Sequence, residues 1–170
     1  MKLQGITLYR GLTPGALGMD VHGGYGETWT HDFDDAKGYA RPPQGYVLEA
    51  VLPLTAKRLV LVTVDAEGYS DYIEDGIRLL AEIVQDPWLY DSLMFSRVAM
   101  WDQWEPEWTE LLIQAGYDSI FTSGFDGPEE YVLKANLLQF TYCYRILPDG
   151  EIEAYPVEPG MLEQLECVVG

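Results

Sequence analysis

The chain has 170 residues, with 28 acids against 10 bases and a formal net charge of −18 at pH 7. A single domain of this length buries roughly 70% of its unfolded surface without a disulfide or metal staple, and its charge repels phosphate backbones, so direct nucleic-acid binding is disfavoured. No apolar run approaches the ~20 residues that cross a bilayer, Cys143 and Cys167 show neither metal spacing nor a CxxC pair, and the opening MKLQGITLYRGL has no signal-peptide run. The expectation is a soluble protein of the reduced cytoplasm, with no metal and no membrane partner.

In chain order, GITLYRG alternates apolar and polar positions and predicts a strand ending at Gly11. The glycine-dense LTPGALGMDVHGGYG reads as a loop able to approach a ligand closely. Thr28 to Thr30 is a short extended piece, followed by a helix with Asp32 as N-cap and Asp34 and Asp35 in the first turn, where the helix dipole favours acids. Ala36, Tyr39 and Ala40 form its expected buried face, and RPPQG stops it. YVLEAVLPL and RLVLVTV read as two strands, the first ended by Pro53.

Helical spacing follows in SDYIEDGIRLLAEIVQ, with Tyr72, Ile73, Ile77, Leu80, Ile83 and Val84 near one stripe, and in EPEWTELLIQAG, where Gly116 is the stop. The aromatic-rich DPWLYDSLMFSRVAMWDQW between them is also read as helical. Strands return in YDSIFTS and EEYVLKA, and QFTYCYRILPDGEIEAYPV forms a hairpin turned at Pro148, Asp149 and Gly150. No repeat, low-complexity tract or linker interrupts residues 1–170, which predicts a single α+β domain with strands flanking a helical middle. The charge is uneven along it. Residues 59–133 carry sixteen acids and only Arg78 and Arg97, a net of −14, which serves solubility or attracts a basic partner.

Three places carry candidate chemistry: Arg10 at the end of the first strand, Thr28 and Thr30 before the first helix, and Glu129 and Glu130 opening a late strand. Each also has an ordinary structural reading, as a surface arginine, as β-propensity and as a solvated loop end. Trp29 alternates away from the threonines and is read as core. His22 and His31 lack partner spacing and are read as structural or exposed.

Taken in order, these segments resemble the ADP-ribosyltransferase family, in the class marked by an Arg, then a Ser-x-Ser or Ser-x-Thr, then a Glu. YRG ends the first strand, TWTHDFDDAKGYA is similar to the family's second segment with Thr28 in the place of the serine, and GYDSIFTSGFDGPEEYVLKANLLQF is similar to its late segment, which places Glu130 at the catalytic glutamate. YVLEAVLPLTAKRLVLV also looks like the family's intermediate strands, so the resemblance covers about 1–65 and 105–140. It implies a split β-sandwich of the ADP-ribosyltransferase type with the acidic helical segment 66–115 as an insert.

The resemblance further implies NAD as substrate and transfer of ADP-ribose to a protein or small-molecule acceptor. Glu130, Thr28 and Arg10 would be catalytic, and Arg10, Gly11, Thr30, Tyr39 and Arg41 would contact the dinucleotide. The chemistry suits those residue types. Cleaving the nicotinamide–ribose bond develops positive charge on the ribose, which a carboxylate stabilises; a hydroxyl can hold that carboxylate's rotamer; and an arginine grips phosphate in a bidentate way. Gly11 leaves backbone free for the nicotinamide amide. Tyr39 is read first as core and second as a nicotinamide stacking partner. Lys37, Arg41, Lys57 and Arg58 add positive potential for an anionic dinucleotide.

Two departures stand against the pattern. Pro128 occupies the position of the second glutamate used by arginine-modifying members, and Thr28 adds a methyl that restricts χ1. Small size and acidity suit a toxin or phage effector, with a basic protein as one acceptor. The competing expectations are an NAD glycohydrolase, transfer on another ribose derivative such as an RNA 2′-phosphate, and a catalytically silent acidic module that binds a basic partner or imitates DNA.

Overall fold

The computed structural model describes residues 4–12, 27–40, 45–96, 104–123 and 127–158. Among them are ten strands and four α-helices, a mixed α+β architecture with mainly antiparallel pairing. The described residues form two compact units: 4–12, 29–40, 45–54 and 136–158 in the first, and 27–28, 55–96, 104–123 and 127–135 in the second.

In the first unit β1 (Gly5–Leu12), β2 (Glu27–Thr30, which contributes its last two residues here), β3 (Gly45–Pro53), β9 (Gln139–Ile146) and β10 (Ile152–Pro156) lie in the order β10-β9-β3-β1-β2, every neighbour antiparallel. The alternation in GITLYRGL does what it predicts: Leu8, Arg10 and Leu12 are buried on one face while Thr7 and Tyr9 turn to the other. Helix α1 (Phe33–Tyr39) covers the Tyr9 face, where Ala36, Ala40, Val47 and Ile146 pack together with Tyr9, Phe33 and Tyr144. Its start is fixed by Asp32, whose Oδ1 accepts from the backbone N–H of Asp34 at 2.7 Å and of Asp35 at 3.2 Å.

Alanines at 36 and 40 let the helix come close, and Gly11 lets the strand receive it: a Cβ there would lie 1.8 Å from the Ala36 carbonyl oxygen. Tyr39 departs from its expected place in the core. It is 44% exposed, because the buried stripe of so short a helix is only as wide as the two alanines one turn apart.

In the second unit β4 (Arg58–Val60), β7 (Ser119–Ser123) and β8 (Pro128–Val132) lie in the order β8-β7-β4, with β4 parallel to β7 and β7 antiparallel to β8. RLVLVTV, expected as one strand, is two. Leu61 interrupts it, donating to the Phe121 carbonyl at 2.8 Å and accepting from Ile73 N–H at 2.7 Å, and β5 (Val62–Val64) leaves to pair with β6 (Ser70–Tyr72) in a separate ribbon. Ser70 to Tyr72, expected as the first turn of a helix, is therefore strand. The Asp65 carboxylate closes the intervening turn by accepting from Glu67 N–H at 3.0 Å and Tyr69 N–H at 2.9 Å.

Helix α2 (Glu74–Val84) begins only at Glu74, α3 spans Leu89–Met94 and α4 spans Glu107–Gln114. Gly116, with φ +96°, stops α4 as its position predicts. Ile77, Leu80, Leu89, Leu93 and Leu112 are fully buried and join Ile120 and Tyr131 of the strands in one core. At roughly 1.5–3 kcal/mol for each buried large apolar side chain, this core holds the helical segment as an integral part of its unit. Among the described residues no helix is long and apolar enough to cross a membrane.

Candidate active site

Strand register builds the site around Glu130. Arg58 stands opposite Ser119, and Phe121 stands opposite Glu130. Residues directly opposed share a face, as do residues two apart on one strand, so all four side chains project from the same side of β4, β7 and β8.

Glu130 is fully buried. Its Oε2 accepts a hydrogen bond from Ser119 Oγ at 2.5 Å, and its Oε1 forms an ion pair with Nη2 of Arg58. The Ser119 hydroxyl also lies 3.2 Å from the Tyr131 carbonyl oxygen, and the Arg58 guanidinium sits over the Phe121 ring at 4.9 Å from its centre. A buried carboxylate without partners would cost several kcal/mol in desolvation. Here one oxygen meets a hydroxyl and the other a guanidinium, with an aromatic wall beside them. The carboxylate is buried and oriented, and rotating it would break both of these contacts.

Glu129 lies on the opposite face, as alternation requires, and is 9% exposed. Its environment includes Tyr72, whose phenol is raised above its ordinary range, first by burial and further by the Glu129 charge. Two adjacent glutamates thus serve opposite sides of one strand, only one of them with Arg58.

The other expected site residues are placed as follows. Arg10 is buried on β1, at 6% exposure. Thr30 stands opposite Tyr9 and so shares its face, pointing away from the face of Arg10. The Thr30 hydroxyl donates to the Asp32 carbonyl at 2.8 Å, closing the strand-to-helix turn locally. Thr28 is half-buried and belongs to the same unit as Glu130, while Arg10 belongs to the other. The space over Gly11 is taken by α1. Arg41 and His22 lie outside the described residues, and His31 is half-buried. Among the described residues no three His, Cys, Asp or Glu side chains are grouped to hold a metal ion.

Sequence reasoning missed Ser119 and cast Arg58 only as a diffuse source of positive potential. The signal that finds them is pairing: Arg58 begins one predicted strand and Ser119 another, and a parallel register between them puts a guanidinium and a hydroxyl level with the strand that carries Glu130.

No family model matches the chain, and no curated protein matches it. A solved structure described as a crystal structure of an anti-CRISPR protein is similar at a TM-score of 0.38 and 13% identity, covering 88% of this chain and 94% of that one.

Proposed function

We propose that this chain is an NAD-dependent mono-ADP-ribosyltransferase in which Glu130 is the catalytic carboxylate. The observation that carries the reading is the state of Glu130: fully buried, with a hydroxyl 2.5 Å from one oxygen and an arginine on the other. A carboxylate fixed before substrate arrives stabilises a developing cation without the reorganisation that water would require. The order Arg, Thr-x-Thr, Glu along the chain, with each motif on a strand, supports the same assignment.

In the reaction, the bond between ribose C1′ and the nicotinamide nitrogen breaks and its electron pair leaves with nicotinamide, which becomes neutral. The positive charge spreads over C1′ and the ring oxygen. For Glu130 to accept from a ribose hydroxyl and face that charge, the groups that cover it must part to admit the ribose, while Ser119 holds its rotamer. The acceptor then bonds to C1′ and gives up its proton. Where water is the acceptor, the product is free ADP-ribose.

Nicotinamide release from NAD tests the assignment. Glu130→Gln keeps the shape, with its amide oxygen toward Arg58 and its NH2 donating to Ser119 Oγ, and should lower the rate by about 10²- to 10³-fold with the circular dichroism unchanged. Wild-type protein that releases no nicotinamide, or a Glu130→Gln variant as active as wild type, would remove the reading.

A second reading rests on charge. The stretch 55–135 has sixteen acids and five bases, as a silent acidic module binding a basic partner would. It requires no NAD turnover and indifference to Glu130→Gln.

A further inference from the structure

Helix α3 presents to solvent two large aromatic side chains that its own core does not use. Trp88, its N-cap residue, and Phe95, its C-cap residue, are each 73% exposed. They are seven residues apart, two helical turns, and so stand on one side of the helix, while Leu89 and Leu93 are fully buried on the other. Asp91 and Ser92, one turn from each aromatic, lie between them on the outer side, and Asp91 is exposed. A monomer gains little from holding two such rings in water, and aromatic residues of this kind serve as anchors at protein interfaces.

The surroundings define what those anchors would take. Residues 59–97 contain eight acids and, besides Arg97 outside the described residues, one base, Arg78. That base is already engaged: its Nη2 donates to Glu74 Oε1 at 2.8 Å, and its guanidinium stacks on the Tyr90 ring at 4.2 Å. The Tyr90 ring in turn meets the Phe95 ring edge-on at 6.2 Å. The surface therefore already contains, within the chain, one guanidinium sandwiched between an aromatic face and a carboxylate. Trp88, Asp91 and Phe95 offer the same ingredients, and among the described residues of the segment Arg78 is the one base.

We infer that the outer side of α3 is a docking surface for an arginine-bearing basic segment of another protein. The partner's guanidinium groups stack on Trp88 and Phe95 and pair with Asp91, as Arg78 does on Tyr90 and Glu74. Cation–π contact with tryptophan is the strongest of its kind, and arginine is its usual donor. A second copy of this chain is a poor occupant, because two surfaces of the same negative sign repel. The inference does not depend on NAD turnover.

The test separates this surface from general attraction to an acidic protein. An arginine-rich peptide and its glutamine-substituted counterpart are titrated into the full-length chain without NAD, following tryptophan fluorescence and heat. Trp88→Ala and Phe95→Ala leave the charge at −18 and change no buried side chain. Each should weaken binding of the arginine peptide by about 3- to 10-fold, and both together by about 30-fold. Asp91→Asn should weaken it by a similar single step, and the glutamine peptide should not bind. Affinity indifferent to the two aromatic substitutions would mean that net charge alone attracts the peptide, and would overturn the inference. So would equal binding of the glutamine peptide, no binding of the arginine peptide, or self-association that disappears in the double variant.

Discussion

Two glutamates, one in each unit, face the same physical problem and meet it differently. Glu49 on β3 is half-buried, and hydroxyls surround it: Thr141 Oγ1 donates at 2.7 Å and the Tyr144 phenol at 2.9 Å, with Tyr9 opposite it on β1. Glu130 on β8 is fully buried and takes an arginine and a serine. Neutral donors suffice where water still reaches the carboxylate. Where it does not, a full opposite charge is needed, and an arginine with two ways to bond a carboxylate is the residue that supplies it. The comparison teaches that the deeper carboxylate is met by a full opposite charge together with a hydroxyl, and the shallower one by neutral hydroxyls.

That contrast can be broken by substitution. Arg58→Ala strands a fully buried carboxylate and should cost the most, about 3 kcal/mol in urea unfolding. Combined with Glu130→Gln, the loss should be smaller than the two single losses added, since the second change removes the charge that the first exposed. A loss below ~1 kcal/mol for Arg58→Ala would mean that other groups hold Glu130 and that the contrast with Glu49 is one of degree. In the first unit the comparable damage comes from backbone rather than charge: Gly11→Ala drives a methyl into the Ala36 carbonyl and should cost about 2–3 kcal/mol.

Smallest is Tyr144→Phe, which deletes one of several donors to Glu49 and should cost about 1 kcal/mol. It has a signature in pH. Burial first, then the hydrogen bond to Glu49 and its charge, raise the Tyr144 phenol well above its ordinary value of 10.0. The fold favours the protonated phenol, so this contribution is complete below the ordinary tyrosine range and is lost as pH climbs through the native value. Stability measured above about pH 10 should therefore fall less steeply in Tyr144→Phe than in wild type.

The parts of the fold that local chemistry decides were legible in the residues. Alternation marked β1, Pro53 marked the end of β3, Asp32 followed by two acids marked the start of α1, and Pro148 to Gly150 marked the turn of the last hairpin. What failed was whatever depends on a distant partner. RLVLVTV has no internal reason to break at Leu61; the break exists because β7 takes one side of that residue and Ile73 the other. SDY reads as a helix start until VTV is placed beside it. Of the site, the late strand could be located, but the two side chains that hold its carboxylate could not, since Arg58 and Ser119 meet only through a parallel register that no local pattern encodes. Thr30 shows the converse: its hydroxyl satisfies a turn two residues away, a role visible in the sequence once the helix start is placed.

The parallel pairing of β4 with β7 also sets an order of events during synthesis. Arg58 to Val60 leave the ribosome with an open edge, and their hydrogen-bonding partners, Ser119 to Phe121, follow some sixty residues later. Until then the nascent chain carries an unpaired arginine and an incomplete strand, with α2, α3 and α4 emerging in the interval. At roughly 5–20 residues per second that interval lasts seconds, against about a microsecond for a helix to form, so the carboxylate cage around Glu130 closes long after the helices that precede it have had time to form.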